Sequence, residues 1–215
     1  MFSSPNLWLN SPTGLFSKYL SGSESNLSIT ELPSVRSILS VVSTNINCLN
    51  AVSNPDEFDI NLLVTPGVIH RLHPQVTNHA ISKVESRADA LYIMDSAAYS
   101  DSVQTVNDTI SSLDTNYVAT YYPWVKLLDD TVNIPVWVPP SVVIPGVIAQ
   151  NDRVAHEWFA PAGLNRGGLR GVLEAKTRLT HAERDLLYEN RINPIASFPG
   201  QGVVVFGQKT LQAAP

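Results

Sequence analysis

The sequence predicts an α/β fold: a three-layer domain on a mainly parallel sheet, with a C-terminal β-hairpin and a polar N-terminal arm or partial β-rich domain. Two observations carry this. Between Phe58 and Tyr122, short apolar runs alternate with amphipathic stretches in the order strand, helix, strand, helix, strand. Each helical stretch is long enough to cross between parallel strands, which favours right-handed βαβ units. Before residue 54 this regularity is missing, so the chain divides into residues 1–53, an arm or partial second domain, and 54–215, the α/β core domain.

The first fifty residues hold twelve serines, and only Lys18, Glu24, Glu31 and Arg36 carry charge. Runs such as Leu7 to Leu9 and Ser37 to Val42 read as isolated strands or turns, and Ser21 to Asn26 as loop. Asn54, Pro55 and Asp56 punctuate the chain before Phe58 to Val64, a nearly continuous apolar run. It predicts a buried strand closed by Thr65, Pro66 and Gly67.

A helix follows, with Pro74 at its first position and Val76, Ala80, Ile81, Val84 and Ala88 on one face. Ala90 to Met94 predicts a second strand, stopped by Asp95 and Ser96. Ser100 or Asp101 then caps a second helix whose apolar stripe is Val103, Val106, Ile110 and Leu113. Tyr117 to Tyr122 predicts a third strand. Val136 to Val138 reads as extended between Pro135 and Pro139, and Ser141 as the cap of a short helix or turn through Ala149. Thr180 and Glu183 form a capping box for a helix to about Glu189, with Leu186 and Leu187 as its apolar side. Ile195 to Phe198 and Val203 to Phe206 flank Pro199 to Gly202, a hairpin signature.

Composition excludes several functions. The 215 residues carry 14 Lys plus Arg against 19 Asp plus Glu, a net charge of −5 that offers no general excess for neutralising phosphates. Direct nucleic-acid binding is not expected. Cys48 is the single cysteine, so no intramolecular disulfide forms. No apolar run approaches the roughly 18 residues of a membrane span, and no membrane insertion is expected. Charged residues make up 15%, against about 25% in soluble domains, so much of the surface is uncharged. A subunit of an assembly and a merely polar Ser/Thr/Asn surface both explain that. The charge is also divided along the chain: net −7 through Ala149 and +2 from Gln150 onward, which suits head-to-tail contacts.

Chemical motifs are few. The turn after the first strand, TPGVIH, has no dinucleotide or P-loop pattern. Gly163 and Gly168 stand at P-loop spacing, but Leu169 and Arg170 occupy the lysine and hydroxyl positions. The stretch Gly163 to Gly171 therefore reads as a mobile surface loop offering Arg166 and Arg170 to a partner's carboxylates. Asp95 and Ser96 sit at a strand end, where ligands bind in open sheets. They define the alternative reading, an α/β hydrolase-like or nucleotide-binding enzyme, although no G-x-S-x-G surrounds any serine. Asp95 is a general base, a cation ligand or a residue that satisfies turn donors. His70 and His73 lack the further ligands zinc needs, so no metal is expected. Tyr121, Tyr122, Trp124, Trp137, Trp158 and Phe159 read as core and subunit-contact aromatics.

The second half carries an ordered string of motifs: VPPS at Val138 to Ser141, GVIAQNDR at Gly146 to Arg153, WFAPAGLNRGGL at Trp158 to Leu169, LTHAERDLLYENRINPI at Leu179 to Ile195, and FPGQGVVVFGQKTL at Phe198 to Leu211. This series resembles the contractile tail sheath proteins of myophages and phage-tail-like particles, with Val142 and Val143 where the family usually has Gly-His. The resemblance implies a structural protein of the virion tail, present in the host cytoplasm during assembly, without substrate or cofactor. Its implied partners are other sheath subunits in hexameric rings stacked helically, the tail tube and the baseplate. Contraction would drive the tube through the host envelope while each subunit moves as a nearly rigid block. The resemblance also implies a C-terminal lattice-linking domain beyond the GQKTL motif, absent from this chain, and makes Arg166 and Arg170 candidate intersubunit contacts. A phage and a secretion or bacteriocin particle share these mechanics.

Overall fold

The computed structural model describes residues 35–129, 133–156 and 158–213, with side chains from residue 42 onward. Three of the apolar runs lie side by side and parallel: β1 (Leu62–Ile69), β2 (Leu91–Asp95) and β3 (Val118–Tyr122). Two later strands extend the sheet beyond β3. β7 (Asn193–Phe198) pairs parallel with β3 through Tyr121 and Tyr122, and β8 (Gly202–Val205) returns antiparallel to β7. The order is β1-β2-β3-β7-β8.

Period-two alternation gives each strand two buried faces. Tyr92, Met94, Val118 and Tyr122 point into one apolar cluster, and Ile93, Ala119, Tyr121 and Ile195 into another. The first cluster is roofed by α2 (Pro74–Arg87), α3 (Val103–Ile110) and α5 (His181–Glu189), which bury Val76, Val84, Val106, Ile110 and Leu187. The second is covered by α4 (Pro140–Val154) through Ile144 and Val147. The α/β class with a mainly parallel sheet therefore holds, with five helices among the described residues.

Local chemistry sets several boundaries as read from the sequence. Pro74 opens α2, and Ala88 closes it in the left-handed region with its N–H donated to the Val84 carbonyl. Thr180 and Glu183 make the reciprocal capping box of α5. The cap of α3 is Ser102, not Ser100 or Asp101; its hydroxyl accepts the Thr105 N–H. Asp101 instead accepts from Arg71 at 2.7 Å and from the Ala98 N–H at 2.8 Å.

Three expectations need correction. Residues 37–42 form no strand or turn but belong to α1 (Val35–Ala51), packed on α2. Val42 and Ile46 stand four apart and Leu49 three further on, and Leu49 is buried at 4% in the core cluster. Tertiary burial of that stripe overrides the serine-rich composition. Leu49 thus joins the core cluster of the residues that follow, and residues 1–34 of the segment 1–53 expected as an arm or partial domain lie outside the described residues.

The second correction is β1, which does not stop at Thr65. It runs on through Pro66 and Gly67 as a bulge, its register with β2 slipping between Val64 and Ile69. β1 is an edge strand, where a proline without N–H is tolerated, and Gly67 takes φ 80°. The extended piece expected at Val136 to Val138 is present as β5 (Ile134–Val138), one strand of a second, antiparallel sheet, β5-β4-β6, with β4 (Val125–Asp129) and β6 (Val172–Ala175). Third, α4 runs to Val154, its N-cap is Pro139, and Ser141 does not cap it.

Candidate assembly surface

The strand-end crevice is filled by the chain itself. Asp95, at the end of β2, is 1% exposed. Its Oδ2 accepts from the Ser141 hydroxyl at 2.6 Å and from the Gly67 N–H at 3.1 Å, and its Oδ1 from the Ser141 N–H at 3.2 Å. Burial pushes the carboxyl up to about 6, against the pull of those donors toward the charged form. Ser141 stands in the first turn of α4, so the carboxylate also faces the positive end of that helix. Asp95 ties the β1 bulge to β2 and α4.

Ser96 is equally buried, and its hydroxyl accepts from Thr120 at 2.7 Å. The histidines are engaged elsewhere. His70 meets the Thr77 hydroxyl at 2.7 Å, His79 meets Asn50 at 2.8 Å, and His181 pairs with Asp185. Burial lowers the pKa of both His70 and His73. Among the described residues no histidine hydrogen-bonds Ser96, and no group of three His, Cys, Asp or Glu is placed to hold a metal. Cys48 is free and exposed on α1.

The glycine-rich stretch is not the mobile loop its composition suggests. Gly163 donates to the Val205 carbonyl at 2.8 Å, Val205 donates back to Gly167 at 2.7 Å, and Leu169 donates to Val203 at 2.9 Å. Gly168 and Val204 form an antiparallel bridge, so the stretch is fastened along the outer edge of β8. Gly167 is required there because a Cβ would lie 2.5 Å from the Val205 carbonyl oxygen. This fastening covers an edge that would otherwise expose unpaired backbone groups.

Fastening also presents the two arginines expected to contact a neighbour. Arg166 and Arg170 line one cleft of about 310 Å³, together with Gln150 and Val154 of α4, Leu164, and Gln201 of the β7–β8 turn. Among the described residues no carboxylate lines it. The Arg166 guanidinium lies 4.6 Å from the centre of the Phe159 ring, and its Nε is buried without a partner among the described residues. Arg170 is exposed. Beside them Trp158 is 78% exposed and stacks on His156 at 4.4 Å.

The six aromatics thus divide. Tyr121, Tyr122 and Trp124 are buried and Trp137 is half-buried, whereas Trp158 and Phe159 are exposed beside the arginines. Val154 and Leu164 are further exposed apolar residues of this rim that the sequence reading did not single out. An available signal was the density of apolar and arginine residues between Val154 and Arg170.

The relatives are tail sheath proteins and sheath complexes. The tail sheath protein of Enterobacteria phage T4 is 32% identical over 118 residues, 55% of this chain and 17% of that protein. That of Vibrio phage KVP40 is 40% identical over 105 residues, 49% of this chain and 15% of that protein. Among solved structures, the fold is similar to the contracted sheath complex of the PVC extracellular contractile injection system, with a TM-score of 0.62 and 23% identity over 82% of this chain and 50% of that one. It is also similar to the contracted helical sheath of the anti-feeding prophage, with a TM-score of 0.59 and 24% identity over 81% and 44%. The matched region is thus half or less of those chains and a small part of the curated relatives. The enzyme reading centred on Asp95 and Ser96 finds no support in the crevice or in these relatives. With residues 42–211 matching the phage tail sheath protein central domain, the chain belongs to the phage tail sheath family.

Proposed function

We propose that this chain is the central-domain portion of a structural subunit of a contractile tail sheath. Copies would polymerise as stacked hexameric rings around the tail tube, joined to the baseplate, and contraction would drive the tube through the host cell envelope. The subunit would assemble in the host cytoplasm, reside in the virion tail, and need no cofactor or substrate.

The observation that carries this reading is the use made of Asp95. In an open α/β sheet the ends of the strands are where a ligand would bind; here that position is filled by the first turn of α4, bonded to the Asp95 carboxylate. A rigid block that moves within a lattice needs such internal ties, and its functional surface is its outside. Two core clusters on opposite faces of one sheet supply the rigidity. The rim of half-buried Arg166 and exposed Arg170 and Trp158 supplies a contact surface. Electron microscopy of the full-length protein expressed alone tests the reading: cylinders with six-fold cross-section support it, and protein that forms none in any condition contradicts it.

A further inference from the structure

We infer that the cleft of Arg166 and Arg170 receives the acidic turn Asp56 to Asp59 of a second copy, giving a head-to-tail contact. The inference rests on the self-assembly proposed above and names the surfaces that meet. The cleft side is cationic and aromatic. Among the described residues its lining holds two arginines and no carboxylate, and a buried Arg166 Nε lacks a partner. An exposed Trp158 and Phe159 stand beside it.

The turn Asp56-Glu57-Phe58-Asp59 is its complement. Three carboxylates lie within four residues around Phe58, which is 40% exposed. Among the described residues none of the three carboxylates has a hydrogen bond or ion pair. Other acids are already engaged: Asp89 by Arg87, Asp101 by Arg71, Glu174 by Lys126. The turn is held in shape, since Glu57 and Phe58 donate to the Asn54 carbonyl and Arg87 donates to the Phe58 carbonyl at 2.8 Å. It presents charge without having to be ordered on binding, which lowers the cost of association.

Topology forbids one copy from making this contact with itself. The turn precedes β1, at one edge of the sheet, and the cleft adjoins the β7–β8 turn at the other edge. Because β1, β2, β3 and β7 are parallel, the start of β1 and the end of β7 also lie at opposite ends. Patches on opposed corners make a heterologous contact, the kind that propagates into rings or helices. Charge complementarity at its rim would make the association fall with salt.

The test is a charge swap in the full-length protein. R166E/R170E and D56K/E57K/D59K should each lower polymer yield at least tenfold while remaining folded by circular dichroism, and combining the two sets should restore much of it. Two sets that each polymerise normally, or a combination no better than either, would overturn the contact. Should a set fail to fold, a C48S background carrying F58C and R170C decides: oxidation yields a ladder of dimers and higher oligomers if the turn meets the cleft, and no more dimer than the single-cysteine variants if it does not. Wild-type protein that never polymerises refutes the sheath reading itself. Wild-type tubes with indifferent charge swaps refute only this contact.

Discussion

The Ser141 hydroxyl donates to Asp95 Oδ2 at 2.6 Å, joining residues 46 positions apart at the junction of β2 and α4. Both are 1% exposed, so neither partner has water to fall back on. Replacing Ser141 with Ala leaves a buried carboxylate short of its closest donor. The expected loss is about 2 kcal/mol of unfolding free energy, read by urea denaturation. A change within experimental error would show that the tie between β2 and α4 does not support the block.

The same carboxyl sets a pH dependence. Its value in the folded protein, about 6, lies above the ordinary 3.8, so the folded state holds the proton more tightly than the unfolded chain. The stabilising contribution is therefore fully present below about 3.8 and is lost as pH rises through about 6. Comparing wild type with D95N cancels the other titrating groups. Wild type should gain on the variant by roughly 2–3 kcal/mol as pH falls from 7 to 4. A difference that stays flat contradicts this origin; carbon NMR of the Asp95 carboxyl, titrating near 6, gives the same answer without a variant.

Adjacent glycines should behave oppositely. At Gly167 a methyl group meets backbone, the Val205 oxygen at 2.5 Å and the Gly163 nitrogen at 2.8 Å, and no side chain can move aside. Gly167→Ala should cost roughly 2–3 kcal/mol and loosen the stretch from β8. At Gly168 an added Cβ meets nothing within 4 Å, so Gly168→Ala should be nearly neutral. Thermal melts of the two variants make the comparison; equal effects would mean that the stretch is not fastened along β8.

Trp158 separates folding from assembly. At 78% exposure, with its ring on His156, it contributes little to the core. Trp158→Ala should leave stability within about 0.5 kcal/mol and still reduce polymerisation of the full-length protein. Unaltered polymerisation, followed by light scattering, would remove Trp158 from the contact surface.

What the sequence discloses follows from how locally each feature is decided. Pro74 and the Thr180–Glu183 box act within one turn of helix, so the starts of α2 and α5 are legible. Apolar runs mark β2 and β3 because both their faces are buried. The course of β1 is not legible: Pro66 and Gly67 read as a stop, and the strand is held on through its bulge by hydrogen bonds between Thr65 and Tyr92 and between Gly67 and Asp95, 28 residues away. α1 is hidden by its serines because its stability comes from packing on α2. The β5-β4-β6 sheet is hidden because β6 is four residues long and pairs with a strand far away in sequence.

The candidate surface divides along the same line. Arg166 and Arg170 are legible as arginines in a glycine-rich stretch without phosphate-binding spacing. Their shared cleft is not, since it depends on backbone bonds from Gly163, Gly167 and Leu169 to β8. Asp95 and Ser96 are visible at a strand end, but a sequence does not reveal that Ser141 arrives to occupy the carboxylate. That one hydrogen bond turns an apparent site into a structural joint.

The most direct test of the account is electron microscopy of the full-length protein, purified alone and polymerised across a range of salt concentrations. Hollow cylinders built from six-fold rings, less abundant at high salt, are the expected outcome. Dispersed particles at every salt concentration, with no cylinder formed, would contradict it.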